Sequence, residues 1–234
     1  MYIYPFMYEA KFIRRYKRFF VDVDTGEEVF AVHNPNTGSM KNLQIEGSPV
    51  LYTVSENKKR KLPCTLEAIN ISGDWVLVNT HLANRIVEAS INDGEISELG
   101  DVLKVRREFT YKEGRIDFLV ENERGKALVE VKNSTYFDDD ACMFPDAVTT
   151  RGKKHLEVLM KAVDEGYEAY ILYTCQADRP YFRCASDIDP DYCRTFEKAL
   201  DHGVKALCYR TDFDKEKRSV RLLPLDKGLL RAGV

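Results

Sequence analysis

Gly114-Arg115-Ile116-Asp117-Phe118-Leu119-Val120, then Asn122-Glu123-Arg124-Gly125, then Ala127-Leu128-Val129-Glu130-Val131-Lys132 is the stretch whose reading decides the fold. Two short apolar runs flank a cluster of turn formers, which reads as a β-hairpin. Side chains in a strand repeat every two residues, so Leu128, Glu130 and Lys132 share one face. If the hairpin closes with an even loop centred on Glu123-Arg124, Asp117 lies opposite Glu130. Directly paired residues have Cβ atoms about 4.5–5.5 Å apart. Two carboxylates so placed repel each other unless a divalent cation such as Mg²⁺, which takes one or two carboxylates plus water and phosphate oxygens, lies between them.

The arithmetic extends one strand upstream. Val102 to Tyr111 reads as a strand, and an even loop centred between Lys112 and Glu113 sets Glu108 opposite Asp117. Glu108, Asp117 and Glu130 would then form a row across three antiparallel strands, with Lys132 two positions along. Such a row suits metal-assisted attack of water on a phosphodiester, the lysine orienting the nucleophile or offsetting charge. An aspartate and a Glu-x-Lys a dozen residues later is also what an ordinary solvated sheet face carries.

At 234 residues the chain can hold one large domain or two small ones, with no repeat or low-complexity tract. No apolar run approaches the length of a membrane span, and no signal-peptide core is visible, so a cytoplasmic, non-membrane protein is expected. The six cysteines are scattered with no C-x-x-C pair, which argues against zinc and for reduced thiols. The net charge of −3 does not advertise a nucleic-acid binder, but basic residues cluster at Lys11 to Arg18, Lys58 to Lys61 and Lys104 to Arg107.

Residues 1 to about 80 read as short strands. The hairpin Phe19–Val23 and Glu28–Val32 turns at Asp24-Thr25-Gly26, and further strands are expected over 50–55, 61–71 and 75–79, which suits a small barrel or sandwich. A helix is expected from Leu82, capped by Asn79 or Thr80 and stopped at Asn92-Asp93-Gly94. After the three-strand unit comes a linker over 136–146. An amphipathic helix over 147–165 presents Leu156, Leu159 and Val163, and His155 within it reads as a capped or surface histidine rather than a catalytic one. A buried strand over 167–174, a helix over 191–202 and a strand over 204–210 complete a mixed sheet with helices on its faces.

This order, with Asp117 and Glu130-Val131-Lys132 on adjacent strands, resembles the PD-(D/E)XK nucleases. Over nearly its whole length the chain resembles the sugar fermentation stimulation protein A family. The matching blocks include Arg14 to Phe19, Pro35 to Met40, Ala83-Asn84-Arg85, Arg115 to Phe118, Val129 to Lys132, Phe144 to Thr149, and Arg151-Gly152 with Lys154-His155-Leu156. Asn34 and Asn133 depart from the family's usual cysteine and serine. The resemblance implies an α+β protein. An N-terminal OB-fold-like β-barrel (1–80) precedes a PD-(D/E)XK restriction-endonuclease-like α/β domain with a mixed sheet (81–234). It implies a DNA-binding protein with a nuclease site, RNA being the second substrate choice. Asp117, Glu130 and the Val131 carbonyl would hold Mg²⁺ or Mn²⁺, Lys132 would be the catalytic lysine, and Glu108, in preference to Glu88, the third acid. Arg15, Lys17, Arg18, Arg60, Arg115 and Arg151 would hold phosphates. The competing reading is a non-cleaving DNA-binding regulator of sugar (maltose) metabolism genes; a protein-binding adaptor ranks third, and a homodimer is left open.

Overall fold

The computed structural model describes residues 1–226 and 228–230, so residue 227 and the last four residues of the expected second domain lie outside the described residues. In chain order the strands and helices are β1 (Tyr2–Ile3), β2 (Met7–Tyr16), β3 (Phe20–Asp24), β4 (Val29–His33), β5 (Pro49–Val54), β6 (Cys64–Ile71), β7 (Asp74–Leu77) and α1 (Thr80–Asn92). Then come β8 (Val102–Tyr111), β9 (Gly114–Asn122), β10 (Gly125–Ser134), β11 (Tyr136–Phe137), β12 (Ala141–Phe144) and α2 (Thr150–Asp164). The chain continues through β13 (Glu168–Cys175), β14 (Tyr181–Cys184), α3 (Pro190–Asp201), β15 (Lys205–Asp214), β16 (Ser219–Pro224) and β17 (Gly228–Leu230).

The first unit is a six-stranded sheet, β4-β3-β2-β5-β6-β7, and a pairing of His33 with Thr65 joins β4 to β6 and curls it into a barrel. Alternation explains its filling: Val21, Val23 and Val32 point inward beside Phe12, Leu66 and Ile69. The expected hairpin over 19–32 is present, shifted by one residue at either end. β1 does not join this barrel. It pairs with β16 in the second sheet, so the first residues cross over to the other unit.

That second sheet runs β1-β16-β15-β13-β10-β9-β8 and is mixed: β10, β13 and β15 are parallel neighbours, and the outer pairs are antiparallel. Helix α1 covers one face through Leu82, Ile86 and Val87, against Phe118, Val129 and Val131. Helices α2 and α3 cover the other through Leu156, Leu159 and Phe196, against Ile116, Leu128 and Ile171. Layers on both faces are what parallel strands in a sheet require.

Two expectations need correction. The segment over 136–146 is not a plain linker: β11 and β12 form a small sheet with β14 and β17, and Asp138 is paired with Arg183. The cysteines are not all thiols either, because Cys184 and Cys193 form a disulfide joining β14 to α3.

One buried group links the barrel to α1. Glu67 on β6 is 3 % exposed; its carboxylate accepts from Thr53 Oγ1 at 2.7 Å and from Asn79 Nδ2 at 2.8 Å. Asn79 is also the α1 N-cap, accepting from the His81 N–H through its Oδ1 at 3.2 Å. Burial pushes the Glu67 carboxyl up to about 7, against the pull of Thr53, Asn79 and Arg60. The folded chain therefore binds a proton here that the unfolded chain releases near 4.5. Stability should fall as pH rises from about 4.5 through 7, by up to roughly 3 kcal/mol, and level off above that. Urea unfolding of wild type and Glu67→Gln between pH 5 and 8 checks this: the variant should lack the slope.

Candidate functional site

The hairpin register follows the even-loop arithmetic, with Asn122 opposite Gly125 and Phe118 opposite Val129. One step further, at Asp117 and Glu130, the ladder ends. There Asp117 Oδ2 accepts from the Val131 backbone N–H at 2.8 Å, standing in for the strand carbonyl. Asp117 Oδ1 accepts from Asn84 Nδ2 on α1, also at 2.8 Å. β8 and β9 both turn over at this level. Val105 and Phe118 pack on the α1 side of the sheet while Phe109 and Ile116 pack on the α2 side, although strict alternation would hold each strand's pair to one face. The kink in β8 falls on Glu108, whose φ is 52°.

That backbone reversal decides the fate of the expected acidic row. Glu108 stands level with Asp117 in register but ends exposed, paired with Arg115. Glu88, the alternative from α1, pairs with Arg107 at 3.3 Å. The structure brings neither to Asp117 and Glu130; Asn84 is the α1 side chain that reaches in.

Glu130 is 2 % exposed. Its Oε1 accepts from Lys132 Nζ at 2.6 Å and from His155 Nδ1. Arg151 Nε lies 3.3 Å from the other imidazole nitrogen, Nε2, and arginine can only donate. Nε2 is therefore the acceptor, and the neutral ring carries its proton on Nδ1, facing Glu130. The 3.5 Å approach of Lys132 Nζ to Nδ1 is then a contact between two donors, not a bond. Among the described residues, Glu130 Oε2 is buried with no hydrogen-bond partner. Burial raises the Glu130 carboxyl pKa, but Lys132 and His155 outweigh it and the net shift is downward. Asp117 goes the other way, raised by burial and then by the Glu130 charge.

His155 thus corrects the surface reading. It lies on the buried face of α2 with Leu159 and Ala162, at i, i+4 and i+7, a spacing that was in the sequence. Asp117, Glu130, Lys132 and His155 line one cleft of about 360 Å³, with Asn84 from α1 and Thr37 from the barrel. It shares Arg151 and His155 with a second cleft that reaches Arg115, Lys154 and Lys161. A third, sharing Thr37, Thr80 and Asn133, reaches Arg18 and Phe144.

The expected phosphate-binding residues divide. Arg18, Arg115 and Arg151 line this trough. Arg15 does not: its guanidinium donates to the carbonyls of Arg18, Asn36, Gly38 and Ser39 and holds that loop. Arg60 donates to Thr65 Oγ1 on the barrel at 3.0 Å, and Lys17 sits exposed at the β2–β3 turn with φ 47°.

Residues 81–217 match the family model for the sugar fermentation stimulation protein RE domain, and residues 13–78 match that for the SfsA N-terminal OB domain. A sugar fermentation stimulation protein homolog from Syntrophotalea carbinolica is 46 % identical over 206 residues, covering 87 % of this chain and 89 % of its own. The chain belongs to the sugar fermentation stimulation protein family. The family homolog from Pelagibacter ubique is 42 % identical over 212 residues, 89 % of this chain and 91 % of its own. The solved structure of Pyrococcus furiosus SfsA in complex with Ca²⁺ superposes with a TM-score of 0.89 at 23 % identity, covering 98 % of both chains. The fold is accordingly an OB barrel followed by a restriction-endonuclease-like domain.

The Nδ1 proton of His155 has a measurable consequence. His155→Ala leaves Glu130 with Lys132 alone and should cost about 1–3 kcal/mol in urea unfolding. His155→Asn, whose amide N–H can take the place of Nδ1–H, should recover most of that loss.

Proposed function

We propose that this chain is a divalent-metal-dependent phosphodiesterase that hydrolyses nucleic acid, DNA in the first instance and RNA in the second. The single observation that carries the reading is Glu130 Oε2, buried and without a partner in the cleft it shares with Asp117. A buried carboxylate oxygen left bare is costly. Lys132 and His155 saturate Oε1 and so leave Oε2 to something else. Asp117 accepts one hydrogen bond on each oxygen, which leaves lone pairs free on both.

Two carboxylates and the Val131 carbonyl form an all-oxygen donor set that fits Mg²⁺ or Mn²⁺, completed by water and phosphate oxygens. The Ca²⁺ in the Pyrococcus furiosus relative supports a divalent ion here. Such an ion would polarise a phosphoryl oxygen and acidify a water molecule. Lys132, held by Glu130 at the same cleft, would donate to the attacking water or to the phosphoryl oxygens as charge develops. Arg18, Arg115 and Arg151 would take phosphates along the trough, a contribution that is independent of sequence and weakens with salt. In this reading the barrel (1–80) and the second domain (81–234) share one substrate. Glu108 could join the site only by leaving Arg115, and the reading stands without it.

A cleavage time course on labelled single- and double-stranded DNA with Mg²⁺ or Mn²⁺ tests this. Wild type should cut only with metal, and Asp117→Asn and Lys132→Ala should each lose about 100-fold or more. Salt-sensitive binding by a wild type that cuts neither strand form would overturn hydrolysis and favour the non-cleaving regulator.

A further inference from the structure

The segment Asn34–Met40 runs from the end of β4 to the cleft and is held by hydrogen bonds along its length. Asn34, Asn36 and Met40 are 0, 3 and 1 % exposed. Arg15 donates to the carbonyls of Asn36, Gly38 and Ser39, and Asn34 Nδ2 donates to those of Arg18 and Asn36. The Gly38 N–H donates to Asn36 Oδ1 at 2.8 Å. Thr80 Oγ1, at the start of α1, donates to the Pro35 carbonyl at 3.0 Å, and Asp146 of the second domain accepts from the Met40 N–H at 3.3 Å. Gly38 packs so closely on Asp146 that an added Cβ would collide with its carboxylate.

Within this framework one residue is exposed, Thr37, and it lines the cleft of Asp117 and Glu130 as well as its neighbour. Among the described residues neither its hydroxyl nor its backbone N–H has a hydrogen-bond partner. Three further donors at the same clefts are free in the same way: the Arg18 guanidinium, the Asn133 Nδ2 and the terminal nitrogens of Arg151. Asn133 Oδ1 is already engaged by Thr174 and Gln176, so its amide can turn only the NH₂ outward. Donors left without acceptors along two adjoining clefts that share Thr37 and Asn133 suit an anion.

We propose that the loop Asn34–Met40 is a rigid clamp. It presents the Thr37 hydroxyl and N–H, together with Arg18 and Asn133, to the phosphate next to the scissile one. The inference deepens the phosphodiesterase reading and rests on it for the identity of the neighbouring phosphate. It makes the barrel part of the active cleft, because the residue that positions the substrate comes from one unit and the carboxylates from the other. Rigidity is the point of the bonds around it: a donor already fixed in place loses little freedom when it binds.

The test is calorimetric binding of thymidine 3′,5′-bisphosphate to the full chain with Ca²⁺, beside binding of Mn²⁺ alone. Thr37→Ala should weaken bisphosphate binding about tenfold, the worth of one charge-assisted hydrogen bond. Thr37→Ser should bind as wild type does. Gly38→Ala, whose Cβ displaces the Asp146 carboxylate from Ser39 and Met40, should lose at least as much as Thr37→Ala, and Mn²⁺ affinity should stay unchanged in all three. Equal bisphosphate affinity in wild type, Thr37→Ala and Gly38→Ala would overturn the clamp, as would a wild type that binds none. A wild type that binds bisphosphate in the Thr37-dependent way but cuts no DNA would leave the clamp standing and sink hydrolysis alone.

Discussion

Where β9 and β10 part, the Asp117 carboxylate takes the Val131 N–H that a strand carbonyl would otherwise accept, and the cleft depends on that replacement. Continuing the ladder would close the gap between the strands and leave no room beside Glu130. Ending it without a substitute would orphan a buried backbone donor. Asp117 resolves both, at the expense of setting a second carboxylate near Glu130. The neighbours are arranged around that repulsion. Asn84 donates to Asp117, Lys132 and His155 donate to Glu130, and Arg151 fixes the imidazole so that it donates. Donors are supplied to three of the four carboxylate oxygens, and the fourth is the bare one.

The barrel is coupled to this point along two routes. One passes from Thr53 through Glu67 to Asn79, which caps α1, the helix that carries Asn84 to Asp117. The other is the loop after β4, held to α1 by Thr80 and to the second domain by Asp146. Asn36 adds a 3.4 Å contact to Thr135 just beyond β10. Both routes end at the same cleft, so a shift of the barrel would move Asn84 and Thr37 together.

The hairpin was legible because two loops of even length fix the register, and the chain's turn formers sit where those loops fall. The helices were legible from periodicity, and α1 also from its Asn79 cap; α2 starts at Thr150, later than the expected 147, because Thr149 caps it, a signal the periodicity does not carry. Glu108 was misplaced for a physical reason: the register is right, but a single left-handed residue reverses the strand's faces, and glutamate gives no sign of it. The sheet of β11, β12, β14 and β17 is built from strands of two to four residues, too short for a period to show. The Cys184–Cys193 bond depends on α3 folding back beside β14, which spacing alone does not reveal.

Arg15 and Arg18 show why composition is a poor guide to charge at a site. They stand three residues apart in one basic cluster, yet Arg15 turns inward to four carbonyls while Arg18 keeps its guanidinium at the rim of the trough. Burial pushes the Arg15 guanidinium pKa down, and Asp146 across the loop opposes the shift without cancelling it. An arginine is suited to that inward task because its planar fork satisfies several carbonyls at once, which a lysine cannot. One member of the cluster thus shapes the loop, while its neighbour is left free at the clefts that the loop borders. The cluster's charge matters less than where its donors end, and that is set by the carbonyls of Asn36, Gly38 and Ser39.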